Sequence, residues 1–195
     1  MIKKAQHNIG ILGGTFDPPH KGHLYISRIA IRNLKLQKLL WSITKQNPLK
    51  KTKPSKIERE RLQLCKAIVK KEKKIYILNT DDIKNSDFTI NIIKAIKKKV
   101  RKECQLFFII GADNLINFHL WKSYEKIFEL STVIVMNRPG YKKLALQSLV
   151  AQQFATTQIN LSTLQKRKLK KKEWVYVNNR GINVSSSKLR ISLYK

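Results

Sequence analysis

Between residues 8 and 136, short apolar runs alternate with stretches whose apolar residues recur at helical spacing, and few folds accept that alternation. Residues 8–12, 38–43, 75–78, 106–110 and 132–136 read as strands; 20–34, 57–69, 89–102 and 121–130 read as helices. Strand, helix, strand in regular succession implies parallel βαβ units with right-handed crossovers. The prediction is an α/β fold, a doubly wound parallel sheet with helices on both faces, in one domain over 1–195. Residues 174–177 supply a candidate last strand and 186–193 a last short helix, while 142–172 shows only helical tendency. Residues 44–56, with two prolines and several lysines, read as a mobile loop. Ligands of such sheets bind outside the carboxyl ends of the strands, so the stretches at those ends are where chemistry is to be sought.

The first such stretch, "GGTFDPPHKGH" (13–23), is the most informative. Gly13 and Gly14 let a ligand approach the backbone without a Cβ in the way. Thr15 offers a hydroxyl and Pro18 and Pro19 stiffen the turn. The helix that follows aims its free N–H groups and positive dipole end at the same place, which outlines a phosphate cradle. Neither Gly-Lys-Ser/Thr nor GxGxxG is present, so it is not a Walker A loop or a dinucleotide fingerprint. His20 and His23, three apart, share one face. A capping or core role suits a lone histidine, and a metal pair would have only Asp17 as a third ligand. Two imidazoles facing a phosphate cradle are better suited to donating N–H groups to a polyphosphate and stabilising charge that grows in a transition state. A row of lysines would bind the ground state as tightly, and uniform binding does not lower a barrier.

The formal charge is +29 over 195 residues, 42% of them hydrophobic. Nucleic-acid binding is one reading of that charge. The lysines read as scattered over helix faces and loops, as an A+T-rich coding sequence would also leave them, and anionic partners such as nucleotides suit either origin. Weak, salt-sensitive nucleic-acid binding without sequence readout is expected. No apolar run approaches the roughly 20 residues that span a bilayer, and the N-terminus lacks a signal-peptide pattern, so a cytoplasmic location and no membrane partner are expected. Cys65 and Cys104 read as two buried, reduced thiols without metal-ligand spacing.

The stretch 13–23 resembles the signature of the nucleotidyltransferase superfamily marked by His-x-Gly-His. "FFIIGADNLINFHLWKSYEKIFEL" (107–130), "VIVMNRPGY" (133–141) and "VSSSKLRISL" (184–193) follow in the order found in bacterial nicotinate-nucleotide adenylyltransferases. The resemblance covers most of the chain and implies a Rossmann-like fold and one reaction. The phosphate of nicotinate mononucleotide attacks the α-phosphorus of ATP, giving nicotinate adenine dinucleotide and pyrophosphate, with Mg2+ accompanying the ATP. It implies that His20, His23 and Arg190 are catalytic. His20, His23, Thr15, the backbone of Gly13, Gly14 and Phe16, and Ser186, Ser187 and Arg190 would hold the triphosphate, with Gly111, Asp113 and Arg138 lining the nucleotide pocket. Trp121 would stack on the pyridine ring and Thr89 lie near its carboxylate, with Asp113 also on the mononucleotide side. Lys51 would meet the mononucleotide phosphate, Lys50 and Lys53 being equal alternatives.

Some residues depart from the family pattern. "SDFT" (86–89) stands where Ser-Tyr-Thr is expected, "DDIKN" lacks a glutamate, and Val-Ser-Ser-Ser replaces Ile-Ser-Ser-Thr. Size and polarity are kept, so these bear on the pyridine-side contacts. Two other readings stand beside this one: a sister adenylyltransferase acting on nicotinamide mononucleotide or pantetheine phosphate, and a basic nucleic-acid-binding module without catalysis. The second lacks a clustered aromatic–basic stretch for base stacking. Oligomeric state is not legible.

Overall fold

The computed structural model describes residues 7–44, 53–78, 80–81, 83–167, 169–182 and 184–193. In chain order its elements are β1 (Asn8–Gly14), α1 (Lys21–Asn33), β2 (Lys38–Ile43), α2 (Glu58–Val69), β3 (Ile75–Ile77), α3 (Thr89–Lys99), β4 (Gln105–Gly111), α4 (Ala112–Ile116), α5 (Tyr124–Leu130), β5 (Thr132–Met136), α6 (Lys142–Leu146), α7 (Leu149–Gln153), α8 (Leu161–Lys166), β6 (Trp174–Val177) and α9 (Ser186–Leu193). The strands form one six-stranded sheet in the order β3-β2-β1-β4-β5-β6, every neighbouring pair parallel. The chain winds outward from β1 to β3, then restarts on the other side of β1 with β4. The crevice between β1 and β4, where Leu12 pairs with Ile109, is therefore the topological switch point.

Alternation along each strand builds a core on each face. Ile11, Phe108, Val133 and Trp174 pack with α3, α4, α5 and α7; Leu12, Trp41, Phe107 and Val175 pack with α1, α2 and α8. Central strands buried on both faces explain why "QLFFIIG" is almost continuously apolar. The 142–172 segment resolves into α6 and α7, against α4, and α8, beside β6.

Three expectations need correcting. The helix expected over 121–130 begins at Tyr124, because Ser123 takes a left-handed φ of 54° that a continuous helix cannot contain. Trp121 instead closes a 3-10 turn over Phe118–Leu120, its N–H donated to the Phe118 carbonyl. The cysteines are both free, but Cys104 is only half-buried; Cys65 is buried, which pushes its thiol up to about 12. The lysines are not evenly scattered. The segments entering β2, β3, β4 and β6 all lie at the amino end of a parallel sheet, and they hold the densest basic runs. The loop expected over 44–56 falls largely on 45–52, outside the described residues. No described helix is long and apolar enough to cross a membrane.

Candidate active site

Strands β1, β4 and β5 end together, and their carboxyl ends open on a cavity of about 590 Å³. Gly13 lines its floor at the end of β1. A Cβ there would meet nothing nearer than Phe108, at 3.6 Å, so the protein's own packing does not require glycine and the space is left to a ligand. Phe16 takes a left-handed φ of 49° and turns its ring inward, stacked on Trp41 at 4.7 Å and tilted against His23 at 4.7 Å. Phe16 lines the cavity although its residue is only 2% exposed.

His20 is the N-cap of α1. Its Nδ1 accepts the Gly22 N–H at 3.1 Å, and His23 Nδ1 accepts the His20 N–H at 3.2 Å. This reciprocal cap fixes the chemistry of both rings. With Nδ1 an acceptor, a neutral imidazole carries its proton on Nε2, so each ring has one donor left to offer. The rings lie 3.9 Å apart between centroids. Burial first, then the nearby Arg138 charge, lowers His20 to about 4; burial, then His20, then Arg138, holds His23 well below the usual imidazole range. Both are neutral near pH 7. Gly22 is required by this packing: a Cβ would stand 2.9 Å from the His20 ring and 2.9 Å from Val184 Cγ1.

The far end of the chain closes the same site. Ser186 Oγ donates to the Pro18 carbonyl at 2.9 Å, and Arg190 donates to the Asp17 carbonyl and to Ser187 Oγ at 3.2 Å. Asp17, 3% exposed, also accepts the Ser55 N–H at 2.7 Å and Ser55 Oγ at 2.8 Å, and pairs with Arg190 at 3.4 Å. Arg138 pairs with Asp113 across the β4 and β5 ends, over the Tyr141 ring.

On the opposite wall, Trp121 packs against Phe118 at 4.7 Å and edge-on to Phe108 at 6.1 Å while still lining the cavity. Thr89 opens α3 and lines the cavity beside Asp87 and Phe88. The cavity thus gathers every described residue that sequence reasoning assigned: Gly13, Gly14, Thr15, Phe16, His20 and His23, then Thr89, Gly111, Asp113 and Trp121, then Arg138, Ser186, Ser187 and Arg190. Lys53 lines it too, whereas Lys50 and Lys51 lie outside the described residues.

Sequence reasoning missed three features. Lys122 lies over the Phe88 ring, 4.3 Å from its centroid, and lines the pyridine-side wall. Asp87 lines that wall as well, with a buried Oδ1 that has no hydrogen-bond partner among the described residues. Arg61, 1% exposed, donates to the carbonyls of Thr15, of Thr44 at 2.8 Å and of Lys56 at 3.2 Å, tying Thr44 and Lys56 to the glycine turn. Its signal was readable: Arg61, Cys65 and Val69 recur every four residues, so an arginine occupies the apolar stripe of α2.

The cytidylyltransferase-like family model matches residues 11–191. A relative in Pelagibacter ubique, named a probable nicotinate-nucleotide adenylyltransferase, is 36% identical over 97% of this chain and 95% of its own. A second with the same name, in Agrobacterium fabrum, is 32% identical over 93% and 97%. The chain belongs to this family, among its nicotinate-nucleotide adenylyltransferases. Solved structures of a Plasmodium falciparum nicotinic acid mononucleotide adenylyltransferase, complexed with APC and with NaAD, share the fold of this family member. Each has a TM-score of 0.65, at 19% and 20% identity, over 95% of this chain and 83% of that one.

Proposed function

We propose that residues 1–195 form one nucleotidyltransferase domain that transfers the adenylyl group of ATP to nicotinate mononucleotide. A phosphate oxygen of the mononucleotide attacks the α-phosphorus, the bond to the β-phosphate oxygen breaks, and pyrophosphate leaves with the electron pair. No covalent enzyme intermediate is needed, so catalysis consists of positioning and charge stabilisation.

One observation carries the reading: two neutral imidazoles with Nδ1 locked to backbone N–H groups stand together over a glycine turn at a helix N-terminus. Their Nε2–H donors are preorganised without adding fixed cations, so they contribute most where negative charge grows on the bridging oxygen. Gly13, Gly14 and Thr15 form the floor, and Ser187 and Arg190 the facing wall. Arg138 supplies a fixed positive charge felt by both histidines.

Mg2+ would arrive with the ATP. No three His, Cys, Asp or Glu side chains gather as a cage among the described residues, and Asp17 and Asp113 are committed to Arg190 and Arg138. These residues fit a metal held by phosphate oxygens and water, where it neutralises phosphate charge. An enzyme of two water-soluble nucleotides is expected in the cytoplasm.

On the acceptor side, Trp121 offers a ring face, and the α3 N-terminus at Thr89 together with Lys122 offers donors to a carboxylate. The donors do not come from the Trp121 backbone, whose N–H is already used. A second reading, transfer to the amide mononucleotide, is favoured by one observation: the unpartnered Asp87 oxygen could accept from an amide NH2. The test is dinucleotide formation from ATP and each mononucleotide. Nicotinate adenine dinucleotide and pyrophosphate in equal amounts are expected, and no product with the acid would reject the assignment.

A further inference from the structure

We propose that the amino edge of the sheet, opposite the cavity, is a docking surface for the phosphate backbone of duplex nucleic acid. Segments 35–38, 70–74, 97–102 and 166–172 lead into β2, β3, β4 and β6. Leaving aside Lys168, they carry sixteen lysines and arginines, all exposed. The glutamates beside them are few and mostly paired: Glu72 with Arg28, Glu129 with Lys172 at 3.6 Å, and Glu173 with Arg167.

The four segments form one row. Lys74 Nζ donates to the Leu36 carbonyl at 3.2 Å, Lys97 Nζ to the Leu130 carbonyl at 2.9 Å, and the Lys172 N–H to the Phe128 carbonyl at 3.2 Å. Gln165 reaches from α8 to the Asn33 carbonyl at 2.8 Å. Helix dipoles account for part of this, since the helices of a βαβ sheet end at this edge and a cation near a carboxyl terminus is favourable. They account for about one cation per helix, not for runs of four or five. A lysine-rich code supplies the residue type but does not select the edge.

Six strands at about 4.8 Å make the row roughly 24 Å long. A duplex carries one charge per ~1.7 Å with both strands counted, so about fourteen phosphate charges lie along that length, only part of them on the side that faces the protein. Among the described residues this edge is almost bare of exposed large apolar groups. Among the exposed large hydrophobics of the described residues only Tyr76 borders it, under Lys38 at 5.5 Å with its hydroxyl donating to the Lys73 carbonyl. Binding in a membrane interface draws on several apolar side chains, and single strands draw on several aromatic platforms. A duplex backbone needs neither.

The experiment is fluorescence anisotropy with two labelled 24-base-pair duplexes of unrelated sequence, titrated with the full chain from about 0.05 to 0.2 M salt. Equal affinity for both duplexes and a steep salt slope are expected. The variant Lys71→Glu/Lys73→Glu/Lys98→Glu/Lys171→Glu should lose at least about 30-fold at the lowest salt, since four contacts each scale near 0.9 with log salt. The comparison variant Lys94→Glu/Lys126→Glu/Lys142→Glu/Lys143→Glu has the same net charge and should lose far less. Both must keep the parent unfolding curve. Equal losses in the two variants would show that only net charge matters and would overturn the proposal. So would no binding at about 0.1 M salt, or tighter binding to phosphatidylserine vesicles than to duplex.

Discussion

His20 and His23 give the clearest case of local geometry setting chemistry, because the same backbone bonds that cap α1 decide which nitrogen carries the proton. Alanine at either position removes one preorganised donor and should cost about 10²–10³ in kcat, with a smaller change in the KM for ATP. Near-parent turnover would reject the role. The neutral state makes a separate prediction. An N–H donor that is already neutral has no proton to lose below pH 9, so kcat/KM should stay flat from pH 7 to 9; a required imidazolium would make it fall about tenfold per unit. Stability should move on the acid side. Both histidines bind protons more weakly folded than unfolded, so the stability they allow is complete above 6.5 and is lost as pH falls below it, for His20 towards about 4. Urea midpoints of the parent and of His20→Gln/His23→Gln, measured from pH 7 to 4, check this: the variant should show the shallower decline.

At the scale of elements, Arg190 shows why a helix end must be more than positively charged. Its guanidinium spans the Asp17 carbonyl and Ser187, holding α9 against the turn after β1. Arg190→Lys keeps the charge but loses the fork, and should lower kcat/KM at least tenfold; Lys170→Ala, on a solvated run, should leave it unchanged. Equal, harmless outcomes would make the late motif merely structural. Arg61 plays a comparable part from inside α2. Arg61→Met would strand the carbonyls of Thr15 and Thr44, at about 1–3 kcal/mol each, so the urea midpoint should drop, and Arg61→Lys should recover part of it. The elements themselves were largely legible, because fully buried parallel strands and amphipathic helices leave strong periodicities. What sequence could not carry was local or long-range. The left-handed Ser123 that starts α5 late has no residue-type signal, and the pairing of Asp17 with Ser55 and Arg190 joins segments with no sequence relation. Most of the candidate site was legible for the opposite reason: its residues sit in short motifs at strand ends. Lys122 sits in a turn that reads as ordinary surface, whereas Arg61 betrays itself only as a charge on the apolar stripe of α2.

Over the whole molecule, the site is a joint between the two ends of the chain. Ser186 bonds to Pro18 across 168 residues, and Val184 packs on Gly22, while the last strand of the sheet already ends at Val177. The sheet therefore does not need α9 in order to form, but the cavity does. A triphosphate gripped by His20 and His23 on one side and by Ser187 and Arg190 on the other would lock the late segment onto the early one. Ligand that binds only the folded state stabilises it by about 2.7 kcal/mol at 100 times its Kd. For a chain of this size each kcal/mol raises Tm by roughly 2–4 °C, so a non-hydrolysable ATP analogue should raise Tm by about 5–11 °C. At the same analogue concentration, Arg190→Lys should retain less than half of that rise while its ligand-free Tm stays near the parent value, because the clasp to Asp17 is kept in part and the grip on phosphate is not. Thermal unfolding with and without the analogue measures both quantities. A full shift in the variant would mean that α9 closes the cavity without touching the nucleotide.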